Sequence, residues 1–354
     1  MGITIEERPF GTLPEGHAVT LFEITNTAGM SVAVMNYGCI ITSVRTRDRR
    51  GDLGEITLAY DSFEEYLAGH PYFGAFIGRV ANRISGGGFE LDGRFYPLAA
   101  NQRGILHLHG GVAGFDKKLY EADLFSFEDR AGVRFSRVSP DGEEGYPGNL
   151  EVTHTVTLTE DDRLVLEYQA TTDASTPVNL TNHTYWNLSG EPTILDHELT
   201  LAVDAVAAAE NALPTGEFVR TQPGDPLDFS DWKRVGADID LVAGNPGYDH
   251  SYRVDGASTA LEATTEPLLA ASVRAPASGR RMDVYTTSPD VHFYSGNHLP
   301  GQKGREGQTL KGREALCLEC EFFPDAPNNP AFPPIVLRPD ARYYQKTEHR
   351  FSCE

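Results

Sequence analysis

The sequence predicts an all-β protein, and three observations carry the prediction. Thirty-five glycines and 22 prolines in 354 residues supply the tight turns that join many short strands. Apolar segments of strand length alternate with turn residues along most of the chain. No composition shift, fixed-period repeat or low-complexity tract divides it. One continuous β-domain over residues 1–354 is the simplest organisation, a length that β-sandwiches reach as single domains.

Charge narrows the partners. Thirty Lys and Arg stand against 51 Asp and Glu, a formal charge of -21, so the surface repels phosphate backbones and anionic lipid. Nucleic acid and membrane partners are not expected. The N-terminal MGITIEERPFG carries acids where a signal peptide needs bases, and Glu6 breaks the myristoylation pattern. With no apolar run of about 18 residues, a cytoplasmic protein is expected. The glycosylation-type triplets at Asn179, Asn182 and Asn187 then carry no weight.

The elements follow in order. AVTLFEITN, SVAVMNYG, ITSVRTRD and GEITLAY, between Ala18 and Tyr60, read as antiparallel strands. DSFEEYL (61–67) reads as a short helix, with Asp61 as N-cap and Glu64 three residues on. In 71–98 a strand carries Arg79, Asn82 and Arg83 into a Gly-rich turn and a hairpin. Glycines 86–88 precede a strand and lack a following Lys-Ser/Thr pair, so they are no phosphate cradle. His107 and His109 lie in a loop without further ligands at zinc-enzyme spacing, so a binding loop is favoured over a metal pair. Strands resume over 133–173 around the turn SPDGEEGYPGNL. Residues 194–204 read as a strand, 205–247 as loop-rich, and 268–351 as strands and turns. The basic loop 301–313 reads as solvated.

Two stretches carry candidate chemistry. In PVNLTNHTYWNLSG (177–190), alternation puts Val178, Leu180, Trp186 and Leu188 on one face. Asn179, Thr181, His183, Tyr185 and Asn187 share the other. That polar row is either a wet sheet surface or a ligand site, since burying it unpaired is costly. In EALCLECEFF (314–323), Leu316, Leu318, Cys320 and Phe322 share one face, and Cys317, Glu319 and Glu321 the other. The C-x-x-C of Cys317 and Cys320 thus points to opposite faces, with no second Cys pair to complete a zinc site.

Eight pieces in order resemble the aldose 1-epimerase (galactose mutarotase) family. They are NYG (36–38), FGAFIGRVANRI (73–84), LHGGVAGFDK (108–117), SPDGEEGYPGNL (139–150), TNHTYWNL (181–188), GYDH (247–250), FYSGN (293–297) and CLECEFFPDAPNNPAFPPIVLRPD (317–340). The resemblance implies a large antiparallel β-sandwich, the galactose mutarotase-like supersandwich with a few short helices, and a sugar cleft on one concave sheet face. It implies Glu319 as general base, His183 as general acid and His109 as a second active-site histidine, with His107 left as the extra one. Asn82, Arg83, Tyr185 and Asp249 match sugar-contacting positions. Two departures stand out: His292 where many members have Gln, and Cys-Glu after the Leu-Glu pair.

The implied chemistry suits these residue types. Interconverting the anomers of an aldohexose such as glucose or galactose means taking a proton from the C1 hydroxyl while protonating the ring oxygen. Rotation about C1–C2 and reclosure follow. One base and one acid suffice, with no cofactor or metal. A histidine titrates near neutrality, and a neighbouring carboxylate is expected to favour its protonated form. Asp249 and Arg83 can bind hydroxyls, and Tyr185 can face the sugar ring. A monomer or weak homodimer acting on a small monosaccharide is expected. The rivals are a non-catalytic sugar sensor, a hexose-phosphate epimerase using Arg79, Arg83, Lys117 and Lys118, and a lyase or hydrolase, which would want two carboxylates across the scissile bond.

Overall fold

The computed structural model describes residues 2–210, 212–244 and 246–354. Strands dominate, and every pairing between them is antiparallel. A nine-stranded sheet runs in the spatial order 121–126, 130–139, 150–159, 163–172, 343–353, 280–286, 268–274, 198–201, 233–234. A five-stranded sheet has the order 213–219, 203–210, 249–254, 290–294, 317–321. A second five-stranded sheet is an N-terminal meander between Thr4 and Glu55.

Alternation decides how these layers stack. In the nine-stranded sheet Val133, Phe135, Val156, Leu166 and Val284 point inward. They meet Val291, Phe293, Leu318 and Cys320 from the strands 290–294 and 317–321 in one apolar core. That core also takes Phe22, Ile24, Val32 and Val34 from the meander, whose Val19, Leu21, Ala33 and Met35 help line a second, smaller core with Phe63 and Tyr66. The sandwich therefore has its apolar filling on one face of the strands 290–294 and 317–321. Their other face is free to carry polar groups.

Five expectations are corrected. The helix is Phe63–Ala68, capped by Ser62, whose backbone N–H and hydroxyl both donate to the Glu65 carboxylate (3.2 and 2.9 Å). DSFEE contains two overlapping capping boxes, and the later one puts both Phe63 and Tyr66 into the second core. Asp61 instead accepts the Glu306 N–H at 2.5 Å. The loop 301–313 is accordingly tied down rather than merely solvated, with Arg305 reaching Glu55 and Thr42 and Leu310 buried. The stretch 205–247 is not loop throughout, because Val203–Glu210 and Leu213–Val219 pair as a hairpin. PVNLTNHTYWNLSG is not one strand: only Thr176–Pro177 and Thr181–His183 pair regularly, and 194–204 breaks into Glu198–Leu201 and the start of the next strand. No helix among the described residues is long and apolar enough to cross a membrane.

Candidate active site

The strand Thr181–His183 pairs with Ala75–Ile77 and lies beside Cys317–Glu321, where the Thr181 hydroxyl donates to the Cys320 carbonyl at 2.9 Å. Its polar row is buried from Asn179 to Tyr185, with Asn187 half-buried. Asn179 forms two hydrogen bonds with the backbone of Phe322, and Asn187 donates to the Glu191 and Glu314 carbonyls. The wet-surface alternative is excluded, since His183 and Tyr185 are buried too. Trp186 and Leu188 sit in the main core behind them.

Register brings the carboxylate to the histidine. Asp249, Ser251, Asp290, His292, Tyr294, Cys317, Glu319 and Glu321 share one face of the strands 249–254, 290–294 and 317–321, with His292 directly opposite Glu319. His183 Nε2 stands 3.4 Å from Glu319 Oε1. Tyr185 stacks on the imidazole with ring centroids 4.9 Å apart, Tyr72 lies at 5.8 Å, and the Cys317 thiol sits 3.5 Å from Nδ1.

A second histidine enters through a backbone clamp. His109 N–H donates to the Asn82 carbonyl at 2.9 Å, and Asn82 N–H donates back to His109 Nδ1 at 3.1 Å. With Nδ1 accepting, the neutral ring carries its proton on Nε2. Tyr72, Asn82 and His109 all have left-handed φ, of 64°, 60° and 50°. Such conformations are uncommon for a tyrosine or a histidine and concentrate at functional sites.

The charged wall follows from the strand Arg83–Ile84. Arg83 Nη2 donates to Asp249 Oδ2 at 3.0 Å and Nε to Gln102 at 3.2 Å, while His292 Nε2 lies 2.7 Å from Asp249 Oδ1. Burial works against the Asp249 charge, but Arg83 and then His292 outweigh it and hold the carboxyl well below the usual range. Glu319 goes the other way: burial and then the neighbouring Glu321 carboxyl push it well above its ordinary value. Burial pushes His183 down to about 3, and burial, His183 and Arg83 push His109 well down. The expected support of the imidazolium by its neighbouring carboxylate is therefore overridden by desolvation. These groups surround a cavity of about 170 Å³, below the roughly 300–1,000 Å³ of drug-sized sites and on the scale of one sugar ring. A larger groove of about 890 Å³ runs along the outer face of the nine-stranded sheet. Most of its charges are paired, Arg163 with Asp161 and Lys346 with Glu348, as on a solvated sheet surface.

The aldose 1-epimerase family model matches residues 20–350. The chain belongs to the aldose 1-epimerase family. It is 42% identical to the galactose mutarotase of Bos taurus, with 99% of each chain covered. It is 34% identical to the aldose 1-epimerase of Escherichia coli K12, over 96% of this chain and 97% of that one. A solved structure, the GalM/aldose epimerase homologue from C. elegans, superposes with a TM-score of 0.85 at 27% identity, covering 95% of this chain and 99% of the other.

Every residue singled out from the family motifs lines the one cavity: Asn82, Arg83, His109, His183, Tyr185, Asp249, His292 and Glu319. His107 does not; it lies against the Tyr146 hydroxyl and the Ala99 carbonyl. Sequence reasoning missed Tyr72, Gln102, Tyr294 and His298. Tyr294 was visible, since it falls two residues from His292 on the same strand face. Tyr72, Gln102 and His298 lie in loops, where alternation gives no direction. The two cysteines face opposite ways, as their spacing implied, Cys317 in the second core and Cys320 in the main one.

Proposed function

We propose that this aldose 1-epimerase interconverts the α and β anomers of free aldohexoses such as glucose or galactose. Glu319 acts as base on the C1 hydroxyl and His183 as acid on the ring oxygen. The observation that carries the assignment is the buried His183–Glu319 pair, 3.4 Å apart at a cavity of monosaccharide scale. A neutral pair and a Glu⁻/HisH⁺ pair hold the same single proton. A bound sugar hydroxyl donating to the carboxylate favours the second arrangement, which is the reactive one. His109, neutral with Nε2–H, donates a hydrogen bond to the sugar. Arg83 and Asp249, held by His292, fix the hydroxyls with charge-assisted bonds, Asn82 holds His109, and Tyr185 braces His183.

Of the four cations of the phosphorylated-hexose alternative only Arg83 lines the cavity, and it is paired with Asp249 at 3.0 Å. Arg79 is buried on Ser139, Pro140, Pro147 and Thr176, while Lys117 and Lys118 pair with Asp116 and Glu143. Retention of both the acid and the base favours an enzyme over a sugar sensor. The same reading takes the chain as one domain, working as a monomer or weak homodimer in the cytoplasm. Four free cysteines suit a reducing compartment.

The test is polarimetry on fresh α-D-glucose and α-D-galactose. Glu319→Gln and His183→Asn are each expected to lose at least about 100-fold in rate with an unchanged circular dichroism spectrum. A rate within about threefold of the parent for either variant overturns its assigned role.

A further inference from the structure

Beside the sugar cavity lies a second polar cluster, of which the proposed epimerase chemistry uses only His292, as the residue that holds Asp249. Asp290 and His292 are two residues apart on one strand, so their side chains share a face, and Glu321 sits directly across from Asp290 on the neighbouring strand. Two carboxylates facing each other in a sheet repel, and here both are fully buried. Among the described residues neither Asp290 oxygen has a hydrogen-bond partner. Glu321 Oε1 accepts from Asn82 at 2.9 Å, but its Oε2 has none. His292 completes the group, and one ligand atom from each of the three lies within 4.8 Å of the others. Its Nε2 is taken by Asp249 at 2.7 Å, and its Nδ1 faces only the Ser251 hydroxyl at 3.0 Å.

We propose that Asp290, His292 and Glu321 form a binding site for a divalent first-row transition ion, directly beside the sugar cavity. Two carboxylates and one imidazole are a borderline-to-hard donor set of the kind that takes Zn²⁺ or Mn²⁺. A dication balances the two carboxylate charges. The Asp249 carboxylate beyond Nε2 is the outer partner that metal-bound histidines commonly have, and it leaves Nδ1 as the ligating atom, with the Ser251 hydroxyl beside it. The other three-residue group of this kind, His109, His183 and Glu319, belongs to the acid–base site.

The test is calorimetric titration of the chelator-stripped full chain with ZnCl₂ and with MnCl₂. One equivalent is expected to bind. Asp290→Asn should weaken that binding at least about tenfold, whereas His183→Asn, in the sugar cavity, should leave it within about threefold. Glu321→Gln serves the same purpose if Asp290→Asn fails to give a cooperative thermal melt. Absence of saturable binding to the parent overturns the proposal, and in that case the two carboxyls satisfy each other through shared protons. Binding lost in His183→Asn but kept in Asp290→Asn overturns it too, by moving the ion to the acid–base pair.

Discussion

His183 and Glu319 share one proton in a place that disfavours either charge, and this shapes how activity should respond to pH. An independent histidine acid would lose activity as pH rose through about 6.5, and an independent glutamate base as pH fell through about 4.3. In the buried pair Glu319 takes up its proton well above the ordinary carboxylate range, and His183 resists a second one down to about 3. The singly protonated pair, which contains the arrangement proposed to react, therefore persists through the ordinary carboxylate range. Expected is a kcat/KM for mutarotation with no acid limb at about 4.3, where an independent glutamate base would lose its charge. Initial polarimetric rates, corrected for buffer catalysis, check this. An acid limb centred at about 4.3 would show that the two groups titrate independently.

Elements act on the site through their apolar backs. Phe293 faces away from the cavity and packs at 5.0 Å on Tyr248 and 5.4 Å on Phe229, while His292 beside it faces inward. Phe293→Ala should cost about 3–5 kcal/mol of stability, read as a lower urea midpoint, and should raise KM by loosening His292 and Asp249. The helix makes the opposite case. Ser62→Ala removes a hydroxyl bonded to Glu65 and should cost about 1 kcal/mol, with kcat/KM unchanged, because Phe63–Ala68 supplies no cavity residue. Urea unfolding together with polarimetry separates the two outcomes. At this scale the sequence was partly legible. Alternation sorted EALCLECEFF correctly, because a regular strand has a fixed period of two. The same rule assigned PVNLTNHTYWNLSG to one strand, although its pairing is broken into short bridges to 75–77, 316 and 336–337. Capping chemistry alone could not choose between Asp61 and Ser62, since both satisfy the same motif; burial of Phe63 and Tyr66 chose.

Across the whole molecule, buried histidines set the acid stability. His154 lies between Phe76 and Tyr168, His197 Nε2 accepts the Leu188 N–H at 2.9 Å, and His349 packs on Trp186. Burial pushes each down to about 4. The folded-state pKa is thus below the unfolded value of about 6.5, so the unfolded chain takes up protons first. Stability is full above about pH 6.5, falls as pH drops toward 4, and levels off below that for these groups. Each contributes a slope of up to about 1.4 kcal/mol per pH unit. Glu319 and Glu321, raised in the fold, act in the opposite sense, so the check is differential: His154→Phe should make the loss of urea midpoint between about pH 6.5 and 4.5 smaller than in the parent. An unchanged slope in the variant would remove His154 from the account.

The sequence by itself determined the all-β class, the turn-rich single chain of strands, the face each residue of Cys317–Glu321 presents, and the family through motifs spread along the chain. Those properties are local, set by strand period, turn chemistry and residue type. Only the tertiary structure decided that residues as far apart as Asn82, His183, Asp249 and Glu319 surround one cavity, because strand register and sheet order come from long-range pairing. It also decided the protonation of the pair. A histidine beside a carboxylate reads as a charged partnership in sequence, but folding removes both from water, and desolvation outweighs their attraction.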